Sequence, residues 1–123
     1  MDCVPVNISA TWNIPYSQVL AHAKKIDPTI LQQGMRIIDV ETLLSELSGK
    51  KYVFIFISKT PPFNSFVTVL LAKDKNLHLI YKNEKGIYID INDRLNEPFK
   101  VIGYYQEKKS LCQRIQDAIN RNL

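Results

Sequence analysis

The hydrophobic pattern of the chain changes its period once, close to Lys51. Before this residue, apolar side chains recur three and four positions apart, which places them on one face of a helix. After it come five short apolar or alternating segments that are typical of β-strands and are separated by turn sequences. Helices first and strands afterwards predict an α+β domain, with N-terminal helices packed on an antiparallel sheet of about five strands.

The helical half predicts three helices, over residues 3–10, 15–26 and 39–48, with an irregular connection at 28–38. Asp2 is the expected N-cap of the first helix, because its side-chain oxygen can accept a hydrogen bond from the N–H groups of the first turn. Cys3 is therefore expected to open a helix.

The strand half predicts a central strand over residues 51–58, followed by an antiparallel meander of consecutive strands over residues 66–73, 76–82, 86–91 and 99–106. Leu111, Cys112 and Ile115 then follow at helical spacing, so a C-terminal helix is expected to pack back on the sheet. A length of 123 residues without a break in composition predicts a single domain over residues 1–123.

Composition excludes several classes of protein. The chain is 46% hydrophobic and 23% charged, as in ordinary globular domains, and no apolar run is long enough to cross a bilayer. A cytoplasmic location without membrane contact is therefore expected. The net charge of +4 comes from lysines interleaved with acidic residues, so a nucleic-acid partner is not expected. The tyrosines of the predicted strands are interpreted as boundary residues with a solvated hydroxyl rather than as a base-stacking platform; they are Tyr81, Tyr88, Tyr104 and Tyr105.

The two cysteines are expected to be free thiols, although one disulfide between Cys3 and Cys112 is the alternative. No glycine-rich phosphate loop and no CxxC or HxxxH spacing occurs, so neither a cofactor nor a metal is expected. Cys3 has the better position for a nucleophile, since the positive end of a helix dipole favours the thiolate. The other interpretation is that Cys3 is a small residue filling space at the start of a helix.

A nucleophilic thiolate needs an imidazole to carry its proton and an acceptor to orient that imidazole. His78 lies on a predicted strand that ends at the turn sequence NEKG. If this turn pairs Asn83 with Ile87, His78 lies opposite Asn92 and one diagonal step from Asp90. Both side chains are then candidates to orient the imidazole.

An alternative is that His78, Lys82, Tyr88 and Asp90 form only the solvated face of a hairpin, and a slip of one residue in register would separate the candidate partners. The other histidine, His22, lies between core positions of the second helix and is interpreted as a surface or boundary residue.

The stretch DCVPVNISATWNIPYSQVLAHAKK (2–25) resembles the opening of small papain-like or bacteriocin-processing-peptidase-type proteins of phages and bacteria. These proteins place a cysteine after Asp or Gly, followed by the pattern Ala-Thr-x-x-x-Pro-Tyr-x-x-Val, which is matched by Ala10, Thr11, Pro15, Tyr16 and Val19. The resemblance implies a papain-like fold. It also implies that Cys3 is the nucleophile, that a histidine on a strand is the base, and that an Asp or Asn on the next strand orients it.

Two positions depart from the family pattern. The family often has its histidine at the start of the strand after the loop, where this chain has Asn64-Ser65-Phe66. A glutamine upstream of the cysteine commonly helps to form the oxyanion hole, whereas only Met1 and Asp2 precede Cys3 here. Asn7 or Asn13 would have to substitute for it.

Two functions are compatible with these residues. The first is a papain-like cysteine hydrolase, a peptidase or amidase, in which Cys3 attacks, His78 acts as base and then acid, and Asn92 or Asp90 orients it. The second is a catalytically inactive papain-like scaffold of phage or mobile-element origin that binds or inhibits a protein. In both cases the expected partner is a protein or peptide.

Overall fold

The computed structural model describes residues 2–56, 60–73, 75–92, 94–109 and 111–122. Helices come first, as α1 (Cys3–Trp12), α2 (Tyr16–Ile26), α3 (Ile30–Gln33) and α4 (Ile37–Ser48). The strands follow as β1 (Tyr52–Phe56), β2 (Ser65–Leu71), β3 (Leu77–Lys82), β4 (Tyr88–Ile89) and β5 (Phe99–Glu107), and α5 (Leu111–Arg121) ends the chain. The α+β class with a five-stranded antiparallel sheet and a C-terminal helix is confirmed.

The helix starts and stops follow local sequence signals. Cys3 is the first residue of α1, as predicted, although Asp2 makes no side-chain capping bond. Helix α4 begins at Ile37 rather than Asp39, which lies in its first turn, and its C-cap residue is Gly49, with a φ of 72°. The connection predicted as irregular contains α3, whose four residues are too few to show a helical period.

The predicted meander is wrong in its strand order. The order is β1-β5-β2-β3-β4, so the last strand in sequence lies between the first two. A glycine permits this insertion, because a Cβ atom at Gly103 on β5 would collide with the Ile55 carbonyl and the Phe54 ring of β1. Close approach of β1 and β5 therefore depends on the missing side chain.

Apolar residues pack on both faces of the sheet. The helix-covered face contains Val4, Ile8, Val19, Ala23, Ile30, Val40, Leu43, Leu44, Phe66, Leu79 and Tyr105. The opposite face contains Val67, Val69, Leu71 and Ile80, with Tyr88, Leu95 and Phe99 packed against them. Cys3 packs at the margin of the first cluster, which leaves its thiol at the edge of the core.

Among the described side chains of α5, the large apolar ones are exposed, so the expectation that this helix packs back on the sheet is wrong for them. Ile115 and Ile119 on α5 are 53% and 50% exposed. The physical reason is that the other helices and the segment around Leu95 and Phe99 already cover both faces. No helix in the described part of the chain is long and apolar enough to cross a membrane.

The hairpin face predicted as solvated in one interpretation is buried instead. His78 is 4% exposed and Lys82 is 3% exposed. Lys82 Nζ donates to the Pro61 carbonyl at 2.8 Å and lies 5.1 Å and 5.5 Å from the ring centroids of Phe63 and Tyr88. The lysine cation thus holds the loop before β2 against the hairpin.

Replacing Gly103 with alanine should destabilise the protein by about 1–3 kcal/mol, because the new methyl group forces β1 away from β5. Urea unfolding measures the change, and Gln106→Ala, at an exposed position of the same strand, is the control. Equal unfolding midpoints for the two variants would contradict the role assigned to Gly103.

Candidate active site

The hairpin of β3 and β4 has the register that the turn sequence predicts. Tyr81 pairs with Ile89, and Asn83 N donates to Ile87 O at 3.0 Å. The Asn83 side chain also accepts the N–H of Ile87 at 2.9 Å, which closes the turn from inside. This register carries the chain after β4 back alongside His78.

A buried hydrogen bond joins the two titratable groups of the hairpin. His78 Nε2 lies 2.7 Å from Asp90 Oδ2, and the two side chains are 4% and 1% exposed. Asp90 also accepts the backbone N–H groups of Asn92 at 3.0 Å and Arg94 at 2.9 Å. The carboxylate is therefore fixed by its own turn, and Asp90 rather than Asn92 contacts the imidazole.

The cysteine of α1 lies in the same cavity as this imidazole, since Cys3 and His78 both contribute to its lining. Interaction with the Cys3 thiol also raises the pKa of His78. Cys3 thus shares a cavity with the imidazole of the His78–Asp90 pair, and both Cys3 and Cys112 are free thiols as expected.

Electrostatics favour a charged imidazole next to a charged carboxylate. Burial lowers the pKa of His78, but hydrogen bonds and negative charge from Cys3 and then Asp90 outweigh it, and the net shift is upward. Burial raises the pKa of Asp90, but the Arg94 N–H, the His78 contact and the Asn92 N–H together lower it below its usual value. Each group thus stabilises the charge of the other.

Asn7 joins the two halves of the site. Its Nδ2 lies 2.8 Å from the Cys3 carbonyl, 3.2 Å from Asn92 Oδ1 and 3.3 Å from Asp90 Oδ1, and its Oδ1 accepts the Ile91 N–H at 3.1 Å. The side chain is 1% exposed. The expectation that Asn7 serves as an oxyanion donor is wrong, because these internal contacts use its amide.

The other asparagine named for that role is too far away. Asn13 follows the C-terminal end of α1 with a φ of 54° and is exposed. At 1.5 Å per residue, it lies about 15 Å along the helix from Cys3.

The start of α1 supplies backbone donors instead of a side-chain donor, since its first internal bond runs from Val6 N to Asp2 O and Pro5 has no N–H. The N–H groups of Cys3 and Val4 therefore have no acceptor within the helix.

The position where the family pattern has histidine is not near the thiol. Ser65 pairs with Lys82, whereas His78 pairs with Val69, four residues further along β2. This separation is about 13 Å at the rise of a β-strand. The Ser65 hydroxyl donates to Pro62 O at 2.7 Å and closes the loop. Because Ser65 lies far along β2 from His78, the lack of a histidine at Ser65 does not change the surroundings of Cys3.

The second histidine takes no part in the cluster. His22 Nδ1 lies 3.6 Å from Glu46 Oε2, and the two side chains are 36% and 46% exposed. This pair joins α2 to α4 near the surface, as expected for a boundary residue.

A cavity of about 630 Å³, the site cavity, opens beside Cys3 and His78. Its lining also includes apolar residues (Ile26, Met35, Ile37, Leu77), charged residues (Asp27, Arg36, Asp39, Lys75), Thr68 and Tyr105. Pockets of this size hold ligands of a few hundred daltons. Within the described ranges, no group of three His, Cys, Asp or Glu side chains is placed to hold a metal ion.

The His78–Asp90 pair should make stability depend on pH in two directions. The native pKa of His78 lies above 6.5, so its contribution is complete below pH 6.5 and is lost as the pH rises through the native value. The native pKa of Asp90 lies below 3.8, so its contribution is complete above pH 3.8 and is lost on acidification. Urea unfolding between pH 3 and pH 9 measures the stability difference between wild type and Asp90→Asn. This difference should be largest between pH 3.8 and pH 6.5. Glu46→Gln, which removes the exposed His22 pair, is the control, and a difference that does not vary with pH would refute the expectation.

Asn7→Ala should destabilise the protein by about 1–3 kcal/mol, because the groups that Asn7 contacts lose their partner while buried. Gln18→Ala, at an exposed position of α2, gives the reference loss in the same urea experiment. If both variants unfold at the same urea concentration, Asn7 does not join the two halves of the site.

Comparisons with known proteins do not assign the chain to a family. It matches no protein-family model, no curated protein and no solved structure. The geometry of the site is therefore the evidence for its chemistry.

Proposed function

We propose that the protein is a papain-like cysteine hydrolase, a peptidase or amidase. The observation that carries the proposal is that Cys3 and His78 line one cavity, while His78 is hydrogen-bonded to the buried carboxylate of Asp90.

The reaction follows the positions of these three groups. His78 takes the proton of Cys3, and the thiolate attacks the carbonyl carbon of the substrate. The tetrahedral intermediate collapses as His78 gives its proton to the leaving amine, which leaves a thioester on Cys3. His78 then takes a proton from water, the resulting hydroxide attacks the thioester, and the returned proton restores the thiol. Asp90 stays ionised and stabilises the imidazolium.

The start of α1 supports the same chemistry. The N–H groups of Cys3 and Val4 have no acceptor within the helix. They belong to the nucleophilic residue and to the residue that follows it. The helix dipole adds positive potential there, which stabilises both the thiolate and the developing oxyanion. The free thiols are compatible with a reducing compartment, and we place the reaction in the cytoplasm, with a peptide or protein as substrate.

Alkylation by limiting iodoacetamide tests the proposal. Cys112 is exposed on α5 and gives the reference rate of labelling at pH 6. Cys3 should react at least about tenfold faster, because His78 is placed to take its proton. Mass spectrometry of the two cysteine peptides measures both rates in one sample.

The variants His78→Ala and His22→Ala form a matched pair for this experiment. The first should reduce the labelling of Cys3 to the rate of Cys112, whereas the second should leave it unchanged. Equal slow labelling of both cysteines in the wild type would refute the hydrolase and favour an inactive scaffold that binds a protein partner.

A further inference from the structure

Cleavage of an amide through a thioester forms a negatively charged oxygen on the carbon bonded to sulfur, and this oxygen needs preorganised donors. The start of α1 offers backbone N–H groups. Neither asparagine supplies a side-chain donor. The amide of Asn7 is hydrogen-bonded within the protein, and Asn13 lies at the far end of α1.

Tyr105 on β5 has the required position and chemistry. The sequence interpretation of a solvated hydroxyl is wrong for this residue, which is 3% exposed and lines the site cavity together with Cys3, His78 and Thr68. Its ring packs edge-on against Phe54, with 5.0 Å between centroids, which fixes the ring plane. The hydroxyl is thus held at the wall of the cavity that contains the thiol.

The hydrogen bond to Thr68 determines which proton remains for a ligand. Thr68 Oγ1 donates to Tyr105 Oη at 3.4 Å. Either hydroxyl of such a pair can donate, so the phenol can accept from Thr68 and keep its own proton for a ligand. A phenol that accepts one hydrogen bond and keeps its own proton can donate a hydrogen bond to a negatively charged oxygen.

The charges around Tyr105 keep the phenol protonated. Burial raises the pKa of Tyr105, the Thr68 hydrogen bond opposes this shift, and the negative charges of Glu41 and Cys3 add to it, so that the pKa lies well above its usual value of 10.0. At neutral pH the group is therefore a donor and not an anion.

We infer that the Tyr105 hydroxyl is a catalytic residue that donates a hydrogen bond to the oxyanion formed next to Cys3, together with the N–H groups at the start of α1. Thr68 is a positioning residue that orients the phenol. The inference rests on the proposed function and adds to it the side-chain donor that the family pattern would take from glutamine.

Two reagents separate this role from a structural one. p-Nitrophenyl acetate acylates Cys3 through a tetrahedral oxyanion, whereas iodoacetamide alkylates it by displacement, without an oxyanion. Tyr105→Phe should slow acylation by about 100-fold, the usual effect of losing one oxyanion donor, and leave alkylation within about twofold of wild type. Thr68→Val should slow acylation less and leave alkylation unchanged. Tyr81→Phe, the same substitution at a half-buried tyrosine of β3, should change neither rate.

Each other outcome overturns the inference. Equal slowing of both reactions in Tyr105→Phe would show that the hydroxyl only maintains the shape of the site, and unchanged acylation would show that it does not contact the oxyanion. Alkylation of wild-type Cys3 no faster than that of Cys112 is the separate sign that the proposed hydrolase itself fails, and the role of Tyr105 then fails with it. Because the alkylation rate depends on the Cys3–His78 contact, it also reports whether each variant has kept its site.

Discussion

The contacts of one buried amide hold the candidate site together. The side-chain amide of Asn7 contacts the Cys3 carbonyl in the first turn of α1 and reaches Asp90, Ile91 and Asn92 after β4, across 83 to 85 residues of sequence. The thiol comes from one of these elements and the carboxylate from the other. Each contact replaces a bond to water that burial removes, so the arrangement is stable only when all of its members are in place.

The His78–Asp90 pair shows how burial changes the meaning of an ordinary ion pair. Its atoms are 2.7 Å apart with side chains 4% and 1% exposed, whereas His22 and Glu46 are 3.6 Å apart and 36% and 46% exposed. Solvent screens the second pair, and such pairs contribute little to stability. In the first pair, burial penalises both charges, and the backbone N–H groups received by Asp90 offset part of that penalty. This difference separates a pair that holds a buried imidazole in one orientation from a pair that lies at the surface.

Local features of the fold were predictable because neighbouring residues determine them. The change of period near Lys51 indicates the α+β class, and the turn after Asn83 determines the register that brings Asp90 to His78. The i, i+4 spacing of Cys3 and Asn7 on one helix was the signal that could have revealed their contact. Features that depend on distant parts of the chain were not predictable. The insertion of β5 requires a close approach at Gly103, and the burial of Tyr105 follows from that insertion rather than from its own neighbours in sequence.

The position of β5 also determines when the site can exist. Synthesis runs from the N-terminus, so β5, at Phe99–Glu107, is made after Cys3 and after the other strands, and it must then enter between β1 and β2. Pairings between strands this far apart in sequence form late in folding. Until β5 is inserted, the site cavity lacks Tyr105 and the sheet around β2 is incomplete. The strand order therefore delays assembly of the candidate site until β5 has been made, and before that point Cys3 lacks part of the cavity that surrounds it in the folded protein.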